Sequence, residues 1–250
     1  MITVKEVFDF LNRRFPVDTA CDFDNVGLLI GDETAAVTKA LVALDCTEAV
    51  LKLAITEHCK LIVTHHPVIF KPLKTVTADS LVWRLVQNGI SVISMHTNLD
   101  MGTGGVNDSL CTALGLDNVQ KVQAEDGFLL NAGTLSPAKS ADELARHIKA
   151  RLGGAVKYVG RAEPIKRVLI CSGSGGDYLS LAADRHYDAL ITADVKHHLF
   201  LEAEQVGVAL FDAGHFDTED VVVEPLTHLL QEQFPTVSFA EDHTSQIQHL

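Results

Sequence analysis

Residues 40–66 read ALVALDCTEAVLKLAITEHCKLIVTHH, and this stretch decides the fold class. The segments 40–44 and 60–64 are short and apolar like strands, and the segment 47–58 between them has the periodicity of a helix. A strand, a helix and a further strand in this order are typical of α/β proteins, in which helices cover both faces of a parallel sheet. The second strand ends at a pair of histidines, and ligands gather beyond such strand ends.

The same alternation continues through the rest of the chain. We expect further strands at 26–30, 90–95, 128–134, 167–171, 188–192 and 207–211. We expect an amphipathic N-terminal helix and further helices at 79–88, 106–114, 140–152, 177–186, 195–205 and 218–232. The sequence therefore predicts an α/β fold with mostly parallel sheets, and the polar stretch at 117–127 predicts a domain boundary.

The balance of charge argues against two classes of partner. The 250 residues include 20 Lys and Arg against 33 Asp and Glu, which gives a net charge of −13. General binding to nucleic acid or to an anionic membrane surface needs a surplus of positive charge, so we expect neither. The N-terminal stretch does not have the pattern of a signal peptide, and the five cysteines are scattered, as is typical of free thiols. We therefore expect a cytoplasmic protein.

Four stretches place imidazoles and carboxylates after expected strands. They are THHP (64–67), SMHTNLD (94–100), TADVKHH (192–198) and DAGHFDTED (212–220). Imidazole nitrogens combined with carboxylate oxygens suit zinc, iron or manganese. A single histidine at a strand end usually has a structural role, but several at neighbouring strand ends predict a shared metal site. Few ligands would leave coordination positions open, as in reactive sites.

Two features of these motifs allow more than one interpretation. Adjacent side chains of an extended strand point to opposite sides, so we expect His65 and His66 to serve two neighbouring ions rather than one. The stretch SGSGGD at 172–177 follows a strand and precedes a helix, where backbone N–H groups could hold a phosphate. Because it lacks the GxGxxG spacing and the lysine of a P-loop, we favour a tight turn.

Five motifs, taken in order, resemble those of the NIF-three-like family, whose bacterial members are called GTP cyclohydrolase 1 type 2 homologs. The motifs are FDNVGLLIGD (23–32), THHPVIF (64–70), HTNLDMGTGGVND (96–108), ADVKHH (193–198) and DAGHFDTE (212–219). The resemblance implies two α/β/α layered domains with mixed, mostly parallel sheets and a metal site between them. We expect residues 1–124 with 213–250 to form the metal-binding domain and residues 125–212 to form the second domain.

The resemblance also implies what the site contains and how the chain assembles. Two divalent metal ions per chain are expected, and zinc, iron and manganese are the candidates. The expected ligands are His65, His66, Asp100, His215 and Glu219, with Glu219 bridging the ions. The expected catalytic residues, which would shuttle a proton or stabilise negative charge, are His96, Lys196 and His197. The assembly implied is a toroidal homohexamer, a trimer of dimers.

Two classes of function are consistent with these expectations. The first is a metal-dependent hydrolase, in which a metal-bridging hydroxide attacks a nucleotide or phosphoester-type substrate, as a cyclohydrolase would. The alternative is a non-catalytic metal carrier or a ring-shaped scaffold. The acidic charge balance and the lack of a clear substrate loop favour this alternative.

Overall fold

The structure, a computed structural model, describes residues 1–247. The strands are β1 (Gly27–Ile30), β2 (Lys39–Ala43), β3 (Leu61–Thr64), β4 (Ser91–Ser94), β5 (Asp117–Gln123), β6 (Leu129–Lys139), β7 (Lys157–Val159), β8 (Ile165–Ser174), β9 (Ala189–Ala193), β10 (Ala209–Asp212) and β11 (Ser238–Asp242). The α-helices are α1 (Val4–Arg14), α2 (Glu48–Thr56), α3 (Leu81–Gln87), α4 (Thr97–Met101), α5 (Val106–Leu114), α6 (Ala141–Leu152), α7 (Leu179–Asp184), α8 (His197–Val206), α9 (His215–Glu219) and α10 (Val223–Gln233).

The chain divides into two compact units. Unit 1 comprises Met1–Gly102 and Val223–Thr244, and unit 2 comprises Thr103–Val222 with the short segment that begins at Ser245. This division differs from the expected boundaries, 1–124 with 213–250 and 125–212. The polar stretch at 117–127 is not a domain boundary, because it contains β5 and the turn into β6, which pair antiparallel within unit 2. Residues 213–222 stay with unit 2, where Ala213 lies in the core.

Unit 1 is built on a five-stranded sheet of order β1-β4-β3-β2-β11. The strands from β4 to β11 run parallel, and β1 pairs antiparallel with β4. Leu51 of α2 and Leu85 of α3 pack with Ile62 and Val92 of the sheet in one buried cluster. The apolar runs that follow one another in the sequence thus form the inner strands of a largely parallel sheet.

Unit 2 is built on a six-stranded sheet of order β5-β6-β8-β9-β10-β7. Its centre, β8 to β10, is parallel, and the other pairings are antiparallel. Neighbouring residues of the central strands belong to different cores: Ile191 packs in the core that includes α5 and α6, and Leu190 in the core that includes α7 and α8. Because successive side chains of a strand point to opposite faces, unit 2 is an α/β/α layered structure.

The structure confirms the expected fold class and every expected strand, with small shifts at the ends. The sequence interpretation missed β5, β7 and β11, which lie at sheet edges. β5 and β7 are mostly exposed and β11 is mostly half-buried, so these strands lack the buried apolar run that marks an inner strand. The helix expected at 218–232 is two helices, α9 and α10, with a 3-10 turn at Asp220–Val222 between them. Among residues 1–247, no helix is long and apolar enough to cross a membrane.

Candidate metal centre

Three histidines of unit 1 converge at the carboxyl end of its parallel sheet. β3 and β4 are parallel neighbours, and Thr64 is paired with Ser94 at their last residues. A hydrogen bond of 2.8 Å joins the two hydroxyls and locks this register. The residues that follow, His65 and His66 on one side and His96 on the other, therefore leave the sheet at the same edge.

The three imidazole rings form a compact group. Each ring offers one nitrogen, and these nitrogens lie within 4.8 Å of one another. The ring centroids of His65 and His66 are 4.9 Å apart, and that of His96 lies 5.1 Å from His65. The expectation that adjacent histidines would point to opposite sides is wrong here, because β3 ends at Thr64 and strand alternation ends with it. His96 lies within this group.

Each of these rings is oriented by an oxygen acceptor at Nδ1. His65 Nδ1 lies 3.0 Å from Met95 O, His66 Nδ1 lies 2.8 Å from Asp45 Oδ1, and His96 Nδ1 lies 2.8 Å from Asp24 Oδ1. Carbonyl and carboxylate oxygens only accept, so in the neutral rings Nδ1 carries the proton and Nε2 carries the lone pair. This is the arrangement found in histidines that ligate metals.

Asp24, the carboxylate that orients His96, is held in its charged form by its hydrogen bonds. Its side chain is buried, which by itself raises its pKa. Hydrogen bonds from His96 and Thr97 outweigh burial and hold the pKa of Asp24 well below its usual range. The carboxylate is thus charged near neutral pH and fixes both the ring of His96 and the first residue of α4.

Asp100 completes the group in unit 1. It lies on α4, is buried, and its Oδ1 is 3.5 Å from His65 Nε2. The expected ligands His65, His66 and Asp100 therefore lie together in unit 1, and His96 lies with them. Sequence reasoning missed Asp24 and Asp45. Asp45 follows β2 at the same carboxyl edge, so the rule that located the histidines would also have indicated it.

Unit 2 holds the remaining expected ligands, one helical turn apart on α9. His215 Nε2 lies 3.1 Å from Glu219 Oε2, and His215 Nδ1 lies 2.7 Å from Asp194 Oδ2, just beyond β9. The pKa of His215 is raised to about 9, mainly by the hydrogen bond with Glu219. The contact with Asp194 also raises this pKa, whereas partial burial lowers it. The pattern of unit 1 recurs, with Nδ1 on a carboxylate. At His215, a proton and a metal cation would compete for the lone pair of Nε2.

Gly173 gives the carboxylate of Glu219 its room. Its φ is +58°, and a Cβ at this position would lie 2.1 Å from Glu219 Oε1 and 3.3 Å from His215 Nε2. Two N–H groups of SGSGGD donate to threonine side chains: Gly173 N–H to Thr218 Oγ1 and Gly175 N–H to Thr192 Oγ1, at 3.1 and 2.8 Å. These bonds support the interpretation of this stretch as a tight turn rather than as a phosphate-binding loop.

Lys196 and His197, the expected catalytic residues, follow Asp194 closely in the sequence of unit 2. Both are exposed at the start of α8. Within residues 1–247, neither forms a hydrogen bond or an ion pair with His215 or Glu219. Asp194, from the same sequence motif, is the residue that contacts His215.

The chain is similar to known proteins along nearly its whole length. The model of the family Duf34/NIF3 (NGG1p interacting factor 3) matches residues 2–248. A GTP cyclohydrolase 1 type 2 homolog of Clostridium perfringens is 34% identical over 241 residues, which cover 92% of each chain. The corresponding protein of Clostridium acetobutylicum is 33% identical over 229 residues, which cover 87% of this chain and 85% of that one.

Solved structures are also similar to this chain along nearly its whole length. The crystal structure of the Staphylococcus aureus hypothetical protein SA1388 has a TM-score of 0.91 at 30% identity and covers 99% of each chain. Reduced HcgD from Methanocaldococcus jannaschii has a TM-score of 0.82 at 25% identity, with 96% of this chain and 97% of that chain covered.

Proposed function

Because the chain belongs to the Duf34/NIF3 (NGG1p interacting factor 3) family, we propose that it is a dinuclear metal-dependent hydrolase that acts on a nucleotide or phosphoester-type substrate. One observation carries the proposal: the three imidazoles of unit 1 gather their nitrogens within 4.8 Å, and each is oriented by an oxygen at Nδ1. The name of the Clostridium relatives, GTP cyclohydrolase 1 type 2 homolog, supports a nucleotide as the substrate.

The donor set fits two divalent cations of zinc, iron or manganese. His65, His66 and Asp100 of unit 1 would act with His215 and Glu219 of unit 2, as the family resemblance implies. Each histidine of this set has an oxygen acceptor at Nδ1, which is the orientation that metal ligation requires. When bound, such ions lower the pKa of water and polarise phosphoryl or carbonyl oxygens.

The remaining residues would handle protons and charge. His96 is held by Asp24 at Nδ1, so its Nε2 can take up or release a proton close to the ligands of unit 1. Lys196 and His197 are exposed on α8, where they would hold an anionic group of the substrate or relay a proton. Asp24 keeps the ring of His96 in one orientation.

We further propose a toroidal homohexamer, a trimer of dimers, in the cytoplasm. The family resemblance supports the assembly, and the five cysteines, which are odd in number and scattered along the sequence, support a reducing compartment. With a net charge of −13, neither nucleic acid nor an anionic membrane is a proposed partner. Light scattering after gel filtration tests the assembly, and a monomeric mass would refute it.

The proposal is tested by loading the purified protein with Mn²⁺, Fe²⁺ or Zn²⁺ and assaying GTP and a panel of phosphoesters. We expect activity in the wild type and its loss in His66→Ala and Glu219→Gln. Elemental analysis of protein purified without added metal should find about two ions per chain. Equal activity in the wild type and both variants would remove the hydrolase proposal.

One observation favours a second candidate, a non-catalytic metal carrier or ring-shaped scaffold. The net charge of −13 favours binding of cations over binding of an anionic nucleotide or phosphoester. A carrier would exchange its metal readily with a chelator and remain folded. A hydrolase would bind a nucleotide saturably, in a way that depends on its metal.

A further inference from the structure

Two phenylalanine rings are exposed beside the histidine group of unit 1. Phe23 is 68% exposed and Phe70 is 44% exposed. Their ring centroids are 6.4 Å apart, and the edge-to-face contact of Phe70 with His96 has a centroid distance of 6.0 Å. A continuous row of rings therefore leads from His96 through Phe70 to Phe23.

The chain holds both rings at the surface by fixing their neighbours. Asp24, which follows Phe23, accepts hydrogen bonds from the His96 ring and from Thr97. The side chain of Asn25 donates to the carbonyl of Ile69, the residue before Phe70. The two segments are thus tied to each other and to the histidine group, although neither ring is buried. Large apolar side chains that are held together in an exposed position call for an explanation other than core packing.

We propose that Phe23 and Phe70 bind the planar heteroaromatic ring of an anionic ligand whose phosphate or other reacting group lies at the histidines. This inference rests on the proposed function and narrows its substrate class to phosphoesters that carry a nucleobase-like ring. Aromatic side chains stack on the face of any base, and one such contact changes affinity by about 5- to 100-fold.

Two features favour a small anionic ligand over a second copy of the chain. The row of rings is continuous with the imidazoles, so a molecule held at the histidines has the phenylalanines as its next surface. Lys71 and Lys74, both exposed, follow Phe70 in a chain whose net charge is −13. Positive charge that follows an exposed ring along the chain matches a base that carries a phosphate.

The test uses tryptophan fluorescence, because Trp83 is the chain's one tryptophan. Trp83→Phe combined with Phe23→Trp moves the fluorophore to the proposed site and keeps a ring there. This reporter is titrated, with Mn²⁺ present, with GMP and with ribose 5-phosphate, which has a hydroxyl group where GMP has its base. We expect saturable quenching by GMP, and an affinity for GMP at least about fivefold above that for ribose 5-phosphate.

Further substitutions in this reporter variant test whether Phe70 is the residue that binds the base of GMP. Phe70→Ala should weaken GMP binding by about 5- to 100-fold and leave the affinity for ribose 5-phosphate unchanged. Phe70→Tyr, which keeps a ring, should bind GMP as tightly as the reporter itself. Val86→Ala is the matched control, since Val86 is an exposed apolar residue on α3 of the same unit. Equal affinities for the two ligands, or equal effects of Phe70→Ala and Val86→Ala, overturn the inference.

Two further outcomes separate this inference from the function it rests on. A change of oligomeric mass in Phe23→Ala, with GMP affinity unchanged, would assign the rings to a contact between copies and overturn the inference. Metal-dependent hydrolysis of methyl phosphate, without preference for GMP over ribose 5-phosphate in binding, would also overturn it while the hydrolase proposal stands. Ring-dependent GMP binding without any hydrolysis would support the ring site and refute the hydrolase.

Discussion

Individual residues around the candidate ligands determine which ring nitrogen faces a metal. His66 depends for this on Asp45, and His215 depends on Asp194, each through a contact of 2.8 or 2.7 Å. Gly173 contributes by having no side chain where the carboxylate of Glu219 lies. None of these residues needs to touch a metal to influence how tightly one binds.

Replacing the carboxylate of Asp45 should weaken metal binding without unfolding the chain. In Asp45→Ala, Nδ1 of His66 loses its acceptor, and we expect affinity for Zn²⁺ to fall by about 10- to 100-fold. A competition titration against a chelator of known affinity measures the change. Asp9→Ala, which removes an exposed carboxylate from α1, is the matched control. If both variants bind Zn²⁺ with equal affinity, the orienting role of Asp45 is wrong.

Gly173→Ala should have two separable effects. Alanine at this position would have to adopt the left-handed φ of +58°. Its methyl group would also displace Glu219 Oε1, which lies 2.1 Å from the position of the added Cβ. We expect a loss of about 1 kcal/mol in the free energy of unfolding from the backbone alone, and reduced metal content besides. Gly207→Ala is the control, because Gly207 has a φ of +72° with nothing within 4 Å of the added Cβ. Thermal unfolding and elemental analysis distinguish the effects, and full metal content in Gly173→Ala would contradict this account.

Among the structural elements, the edge strand β5 shows how polar side chains hold a segment in place. Asp108 on α5 accepts hydrogen bonds from Asn131 on β6 and from Gly104 N–H, and lies 3.0 Å from Lys121 on β5. Partial burial by itself raises the pKa of Asp108, but these contacts outweigh burial and lower it below the usual value. Three elements of unit 2 are thereby joined through one carboxylate.

The lowered pKa of Asp108 predicts an acid-sensitive unit 2. The stability that this carboxylate provides is present above its unfolded-state pKa, near 3.8, and is lost as the pH falls through the lower folded-state pKa. At pH 7, Asp108→Asn should reduce the free energy of unfolding by about 1–3 kcal/mol, and the difference from wild type should shrink below about pH 4. Denaturant unfolding at pH 7 and at pH 3 measures it. Glu125→Gln, an exposed change in the β5–β6 turn, is the control, and a pH-independent difference would refute the prediction.

How far an element could be predicted from the sequence follows from where its stability comes from. Inner strands such as β3 are recognisable because both faces are buried and every residue is apolar or small. β5 lies in the stretch that was expected to be a domain boundary, since its pairing with β6 uses backbone hydrogen bonds that leave no apolar signal. The position of His65 and His66 could be predicted, because they directly follow β3, which its apolar residues mark as a strand. Lys196 and His197 share a motif with Asp194, but the sequence does not indicate that Asp194 is the one that orients the ring of His215.

At the level of the whole molecule, the family resemblance implies a metal centre whose donors come from both units. Unit 1 would supply imidazoles with Asp100, and unit 2 would supply His215 with Glu219. A ligand that binds only the native chain stabilises it by mass action, by about 2.7 kcal/mol at a hundredfold excess over its dissociation constant. If the metal needs donors from both units, its removal must lower the stability of each of them.

Metal removal should therefore connect Glu219 in unit 2 to the unfolding of unit 1. Trp83, on α3 of unit 1, reports the thermal transition of that unit through its fluorescence. In the wild type, Mn²⁺ or Zn²⁺ should raise this transition by about 5–10 °C over chelated protein. Glu219→Gln should abolish the rise, although the substitution lies in the other unit, whereas Glu204→Gln, an exposed change on α8, should preserve it. If Glu219→Gln leaves the rise of the Trp83 transition intact, unit 1 binds its metal alone, and the proposal of a centre that needs both units fails.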